Sequence, residues 1–434
     1  MDMIDKNYIK ILSFAALLFC SAPLSAQTIL DTPDDEEEEV DSLFVPIEDE
    51  ISVVDKQGNT EFIDFPEAMT YELDSLMSLY MSKTYLSMPG DCEMKDENPA
   101  FTPEEYIDRL RRMPTVMEMG YNDIVQRFID RYMARLRHSV SYMLGATNFY
   151  VPLFEEALEA YQVPLELKYL PVIESALNPR AVSRVGATGL WQFMLGTGKQ
   201  YGLEINSLVD ERRDPVRSSY AAARYLRDLY RIFGDWNLVI AAYNCGPGNI
   251  NKAIHRSGGE KDYWRLYPYL PAETRGYVPA FIAANYAMTY YCEHGICPMS
   301  TKLPLQTDTV VVNRDVHLEQ IAKVLDLDIE MLRSLNPQYR RDIVPGTTKS
   351  YAIRLPMADT GRFIDMQDSI YNYRTSELLT KRAVVDVNDD QPTFRKKVVK
   401  RGRRSSVRKG RNARRGKATS KSRRSKASKR RRRR

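Results

Sequence analysis

Glu174 is the residue of this 434-residue chain best placed to move a proton. It stands just upstream of a glycine-rich stretch, Gly186-Ala187-Thr188-Gly189-Leu190-Trp191-Gln192-Phe193-Met194. Leu167, Leu170, Ile173 and Leu177 recur at helical spacing, which predicts a helix over 164–177; at roughly 100° per residue Glu174 falls between Leu167 and Leu170 inside their arc. Desolvation penalises a carboxylate among apolar neighbours, so such a group retains its proton towards neutral pH and can give it to a leaving oxygen. Glu174 is therefore a candidate general acid. Glu166 shares the arc but lies in the first turn behind Pro164, where the helix dipole favours the ionised form, and it is the poorer donor. A competing reading makes Glu174 a helix-end carboxylate paired with Arg180 or Arg184.

The elements that would position this acid read as helices from Thr102 to His294. Residues 103–112 and 121–144 are amphipathic, the second run stopping at Gly145. Asp214-Pro215 supplies an N-cap and first-turn proline for a helix through Phe233, which Gly234 ends. Asp235 starts a short buried helix over 236–244, stopped by Gly246-Pro247-Gly248, and another runs over about 272–293, bent at Pro279. Strand alternation does not appear there. Residues 307–356 change character: a Val310-Val311-Val312 strand, helical patterns over 318–325 and 329–335, a Pro345-Gly346 turn and a closing strand over 351–355 make a β-α-α-β unit.

Four ordered motifs resemble those of bacterial lytic transglycosylases of the soluble-lytic-transglycosylase (family 1) type, and within them the membrane-bound murein transglycosylase D group with its LysM modules. They are Glu174-Ser175, the glycine-rich stretch, Ala241-Ala242-Tyr243-Asn244-Cys245-Gly246 and Glu273-Thr274-Arg275-Gly276-Tyr277-Val278. The resemblance implies a mainly α chain, with a lysozyme-like catalytic domain at 101–300 and a LysM-like glycan-binding module at 305–357. It also implies non-hydrolytic cleavage of the MurNAc-GlcNAc bond of peptidoglycan, with Glu174 acting as acid and then base and the sugar's 6-hydroxyl as nucleophile, giving 1,6-anhydroMurNAc ends. Ser175, Ser183, Gln192, Tyr243, Asn244 and Tyr277 match substrate-binding positions. Ser175 and Ser183 also read as capping or turn residues, Trp191 and Phe193 as core or sugar platform. No cofactor or metal is implied, and a lone Cys-x-His-x-x-Cys around His294 has the wrong spacing for a usual zinc site. Three departures stand out: Leu195 where many relatives carry proline, Cys245 where a small residue is common, and Arg314-Asp315 where a LysM module usually carries Gly-Asp. Two other classes stay open. A hydrolytic muramidase needs a second carboxylate facing Glu174, from Asp210, Glu211 or Asp214; an inactive peptidoglycan-binding scaffold protein needs no acid at all.

The ends are of another kind. Residues 1–26 carry Lys6 and Lys10, an apolar run and a small-residue Leu24-Ser25-Ala26 end, the layout of a secretory signal peptide, with cleavage after Ala26 favoured over lipid attachment at Cys20. Export to the periplasm or cell envelope follows, with an outer-membrane association compatible. Residues 27–100 read as an acidic, largely disordered arm, with eleven acidic residues and no Lys or Arg in 31–50. Residues 358–394 are polar and weakly patterned and read as a linker with one helix. Residues 395–434 hold 23 basic residues and no acidic one, so the net +4 hides −19 on the rest of the chain. This tail reads as a disordered tether to an anionic wall or membrane surface, in preference to nucleic acid. Among the cysteines, Cys292 and Cys297 could close a small loop.

Overall fold

A capping box opens the first helix where the sequence places it: Thr102 Oγ1 accepts from Glu105 N, and the Glu105 carboxylate accepts from Thr102 N at 2.7 Å, starting α1 (Pro103–Arg112). The computed structural model describes residues 50–54, 60–70, 86–87, 94–301, 303–304, 306–380 and 384. The expectations for the signal segment, the acidic run up to residue 49 and the basic tail lie outside the described residues.

Helices make up most of 103–290, with the longest loops over 113–122, 176–194 and 201–214. After α1 come α2 (Asp123–Asp130), a π turn at Arg131–Arg135 and α3 (Arg137–Ala160); then a 3-10 turn at Leu165–Tyr169, α4 (Leu170–Ser175) and α5 (Leu195–Gln200). They are followed by α6 (Pro215–Phe233), α7 (Trp236–Cys245), α8 (Pro247–Arg256), α9 (Tyr263–Leu266) and α10 (Ala272–Tyr290). The last lies in the middle of the core. Val278, Ala280, Phe281, Ala283, Ala284 and Ala287 are all fully buried, and the small residues let α10 pack against α2, α4 and α7. Asp214 Oδ1 accepts from Val216 N and Arg217 N to start α6, and Gly234, at φ 69°, ends it.

The structure departs from the sequence reading at several boundaries. The run expected to stop at Gly145 is interrupted earlier, by the π turn, and then continues through Gly145 to Ala160. A glycine costs a helix only about 1 kcal/mol, and Val140, Tyr150, Phe154, Ala157 and Leu158, all fully buried, offset it by packing. The helix expected over 164–177 is a 3-10 turn joined to the short α4. The helix expected over 236–244 stops at Gly246, which at φ 84° redirects the chain, but Pro247 and Gly248 of the expected stop begin a further helix, α8.

The arm expected to be disordered is folded in part. Strand β1 (Glu50–Val54) pairs antiparallel with β2 (Thr60–Asp64), and a 3-10 turn at Glu67–Thr70 packs against α4. Met69 is 1% exposed; the Phe65 ring meets Phe128 edge-on at 5.0 Å, and the Arg131 guanidinium lies 4.1 Å over Phe65 while its Nε donates to Met69 O. Phe65, Ala68 and Met69, three apolar side chains in an acidic stretch, are a weak sequence signal, yet they add to the core. Strand β3 (Leu86–Ser87) pairs with β4 (Ser300–Thr301). Cys297 is disulfide-bonded, but Cys292 is free and exposed, so the loop between these two does not form.

The β-α-α-β unit appears as read: β5 (Thr307–Val312) pairs antiparallel with β8 (Tyr351–Pro356), with α11 (Leu318–Leu325) and α12 (Ile329–Leu335) between, and β6 (Asp315–His317) pairs with β7 (Ile343–Pro345). It does not end at residue 357. Helices α13 (Met357–Asp365), α14 (Gln367–Asn372) and α15 (Thr375–Leu378) replace the expected linker, with Phe363, Ile370 and Tyr371 buried against the unit and Gln320 Nε2 donating to Tyr373 O. Leu208 and Val209 from the helical domain enter this second core, and Val209 bridges Tyr339, so the two units share a packed seam.

Candidate active site

Glu174 sits in the last turn of α4, where the chain turns sharply away. Ala176 and Leu177 follow in the left-handed region, at φ 49° and 61°. That conformation costs a non-glycine residue about 1–2 kcal/mol, and here burial of both side chains and the bonds Ala176 N to Val172 O and Leu177 N to Pro171 O hold it in place. The turn leaves Glu174 half-buried at a cavity of about 340 Å³, which Ser183, Gln192, Tyr243, Asn244 and Tyr277 also line. Five of the six substrate-binding candidates are thus brought together with the acid. Ser175 is not among them. It is fully buried, and its hydroxyl donates to Pro171 O and Leu190 O at 3.1 and 2.9 Å, stapling α4 to the glycine-rich loop, which is the capping reading of that serine.

The loop is fixed from within. Gly189 takes φ 89°, and a Cβ there would stand 1.8 Å from Arg212 O, so only glycine fits. Ser183 Oγ accepts from Ala187 N, and Gln192 Nε2 donates to Gly189 O at 2.7 Å and Ala181 O at 3.3 Å, so the loop orients the Gln192 amide at the cavity edge. Trp191 is core: it is fully buried, with Nε1 donating to Ser219 Oγ, whereas Phe193 contributes to the cavity wall. Tyr243 donates to Trp191 O at 2.8 Å, and Asn244 Oδ1 accepts from Thr274 Oγ1 at 2.9 Å.

Tyr277, one turn into α10, donates its hydroxyl proton to Glu174 Oε1. Neither Arg180 nor Arg184 supplies the cap of the competing reading: Arg180 donates instead to Arg333 O. Burial pushes the Glu174 carboxyl up to about 8; the Tyr277 hydrogen bond opposes this, and the nearby charge of Glu273 adds to it. Burial, followed by the Glu174 charge, also holds Tyr277 and Tyr243 well above the usual phenol range, so both remain neutral donors. An acid protonated at neutral pH, with a phenol ready to stabilise its conjugate base, can both give and recover a proton.

Among the wall residues to which the sequence reading gave no role are Glu273 and Pro66. Glu273 lines the cavity four residues before Tyr277, the i, i+4 spacing that puts both on one helix face, and so was legible in the motif itself. Pro66 comes from the arm and carries no sequence signal of such a role. The acids weighed as partners lie elsewhere. Asp210 is fully buried between Arg212 and Arg340, each at 2.9 Å; burial alone would raise its pKa, but the guanidinium groups hold it below the carboxylate range. Glu211 accepts from Glu204 N, and Asp214 caps α6. His294 is buried, its ring bonded to Asn98 and Tyr286.

Residues 152–265 match the model of the transglycosylase SLT domain, and residues 306–372 that of the lytic transglycosylase MltD LysM-like domain. The two matched regions are thus similar to an SLT transglycosylase domain and to an MltD-type LysM-like domain. The SLT match contains Glu174, Ser183, Gln192, Tyr243 and Asn244, and the LysM-like match runs on through α14. Membrane-bound lytic murein transglycosylase D of Escherichia coli (strain K12) is 35% identical over 178 residues, 40% of this chain and 39% of that protein. The soluble lytic murein transglycosylase of the same organism is 35% identical over 124 residues, 27% of this chain and 19% of that protein. The chain therefore spans well under half of these relatives. The crystal structure of the 70-kDa soluble lytic transglycosylase of Escherichia coli aligns with 31% identity and a TM-score of 0.30, over 33% of this chain and 24% of that one.

Proposed function

We propose that this chain is a peptidoglycan lytic transglycosylase, cleaving the MurNAc-GlcNAc β-1,4 bond without water. The observation that carries the reading is a single half-buried carboxyl, Glu174, protonated at neutral pH and hydrogen-bonded by Tyr277 within a cavity lined by Ser183, Gln192, Tyr243 and Asn244. Glu174 gives its proton to the glycosidic oxygen as the bond from that oxygen to MurNAc C1 breaks, releasing the GlcNAc 4-hydroxyl. The carboxylate so formed, stabilised by the Tyr277 hydroxyl, takes the proton of the MurNAc 6-hydroxyl as that oxygen bonds to C1. The 1,6-anhydro ring closes, and Glu174 is protonated again. The remaining cavity side chains bind sugar, and the LysM-like domain holds the enzyme on glycan strands.

The relatives' names support a place in the cell envelope; among the described residues no helix is long and apolar enough to cross a membrane. The basic tail serves as an electrostatic tether to an anionic wall or membrane surface, and binding to isolated walls should weaken with added salt more for the whole chain than for one lacking 395–434. One observation favours a second reading. Glu273 brings another carboxyl to the cavity, as a hydrolytic muramidase would require. Mass spectrometry of the muropeptides released from purified peptidoglycan separates the two: the proposal expects products one water lighter than hydrolysis gives, and reducing-end products would overturn it.

A further inference from the structure

Beside the catalytic cleft lies a second cavity, of about 380 Å³, lined by Asn249, Lys252, His255, Arg256 and Pro271. The same two stretches of chain wall both cavities. Cys245 and Gly246 line the catalytic one and lead directly into α8, whose Asn249 Nδ2 donates back to Cys245 O at 2.8 Å. Pro271 lines the second cavity, and Glu273, in the first turn of α10, lines the first.

Helix α8 gives this groove its charge. It runs for ten residues, Pro247 to Arg256, without an acid among them. Ile250 and Ala253 are fully buried and anchor it to the core. Asn249, Lys252, His255 and Arg256, at three- and four-residue spacing, fall together on another stripe. Lys252, His255 and Arg256 are exposed. Lys252 Nζ reaches Asn249 Oδ1 at 3.5 Å, and Arg256 Nη2 donates to Tyr269 O, which leaves further donors on both side chains. Among the described residues neither cation is held in an ion pair, whereas the nearby Arg265 is paired with Glu260.

We propose that this groove holds the short peptide carried by each MurNAc of peptidoglycan, taking its free carboxylates on Lys252 and Arg256. The inference rests on the transglycosylase reading, which puts MurNAc at Glu174, and adds to it a preference for peptide-bearing strands over bare glycan. The lengths agree: α8 rises about 15 Å over its ten residues, and four or five extended peptide residues span about 13–18 Å. An ammonium and a guanidinium make charge-assisted hydrogen bonds to carboxylates, while sugar hydroxyls carry no charge for them to select. Contacts of this kind at an exposed site are screened by salt.

The test compares soluble glycan strands that keep their peptides with the same strands stripped by an amidase. Binding is measured on the whole chain carrying Glu174→Gln, alone and combined with Lys252→Glu or Lys252→Arg, so that turnover does not enter; Lys252 is exposed, and its replacement leaves the core untouched. The readout is the ratio of the two Kd values. Peptide-bearing strands should bind more tightly, and Lys252→Glu should reduce that advantage about three-fold or more, the size of an exposed ion pair gained and then reversed. Lys252→Arg should keep the advantage, and added chloride should erode it. Equal affinity for the two strands, or a ratio that Lys252→Glu leaves unchanged, would overturn the proposal. A Kd ratio that behaves as expected, with no anhydro product released by wild type from either strand, would support the groove and refute the proposed reaction instead.

Discussion

Replacing Glu174 with glutamine should stabilise the protein, and by an amount that grows with pH. The glutamine keeps the side-chain shape and an oxygen to accept from Tyr277, but removes the ionisation that burial opposes. With its pKa raised from 4.5 to about 8, the folded carboxyl binds a proton more tightly than the unfolded one across that interval. Wild-type stability therefore falls as pH rises from about 4.5 and levels off above about 8. Integrating over the shift puts the wild-type deficit at about 1 kcal/mol at pH 5 and about 4 kcal/mol at pH 8, at about 1.4 kcal/mol per pKa unit. Urea unfolding of both chains at pH 5 and pH 8 measures it, since other titrating groups cancel in the comparison. The expected swing is about 3 kcal/mol in favour of Glu174→Gln at the higher pH. A difference between the chains that does not change with pH would mean that the carboxyl is not held out of water, and the acid role would fall with it.

Further substitutions probe the surroundings. Tyr277→Phe removes the hydrogen bond that lowers the Glu174 pKa, so the alkaline limb of the kcat/KM profile should move to higher pH while the maximum rate drops; a limb that stays put refutes the coupling. Met69→Ala should cost about 2–5 kcal/mol by opening a cavity beneath the arm, and should raise KM because Pro66 in the same turn forms part of the cleft wall; an unchanged melting temperature would show that the arm is not part of the core. Gly189→Ala should destabilise by about 3 kcal/mol or more, since a Cβ meets Arg212 O in a backbone conformation unsuited to alanine. Denaturant titration would show it, and near-neutral behaviour would contradict the loop geometry.

Much of the site was legible because its chemistry and its helix periodicity coincide. The apolar spacing around Glu174 anticipated a carboxyl against the core, and Asp214-Pro215 and Gly234 marked both ends of α6 because caps are local interactions. Ser175 was misassigned for a physical reason: a serine beside the acid can point to the cavity or to the backbone behind it, and the spacing of residues does not distinguish these until Leu190 O is seen within 2.9 Å. The arm and the segment after residue 357 were harder still. Phe65 is partly buried and Met69, Phe363 and Tyr371 are buried by contacts with parts of the chain far away in sequence, so composition alone pointed to a disordered arm and a linker.

The central claim is that one carboxyl does the work of two while water is kept out of the reaction, and digestion of purified peptidoglycan in oxygen-18-labelled water tests it most directly. The expected outcome is 1,6-anhydro muropeptides that carry no heavy oxygen, and no release by Glu174→Gln. Labelled reducing ends in the wild-type digest, or undiminished release by the variant, would contradict it.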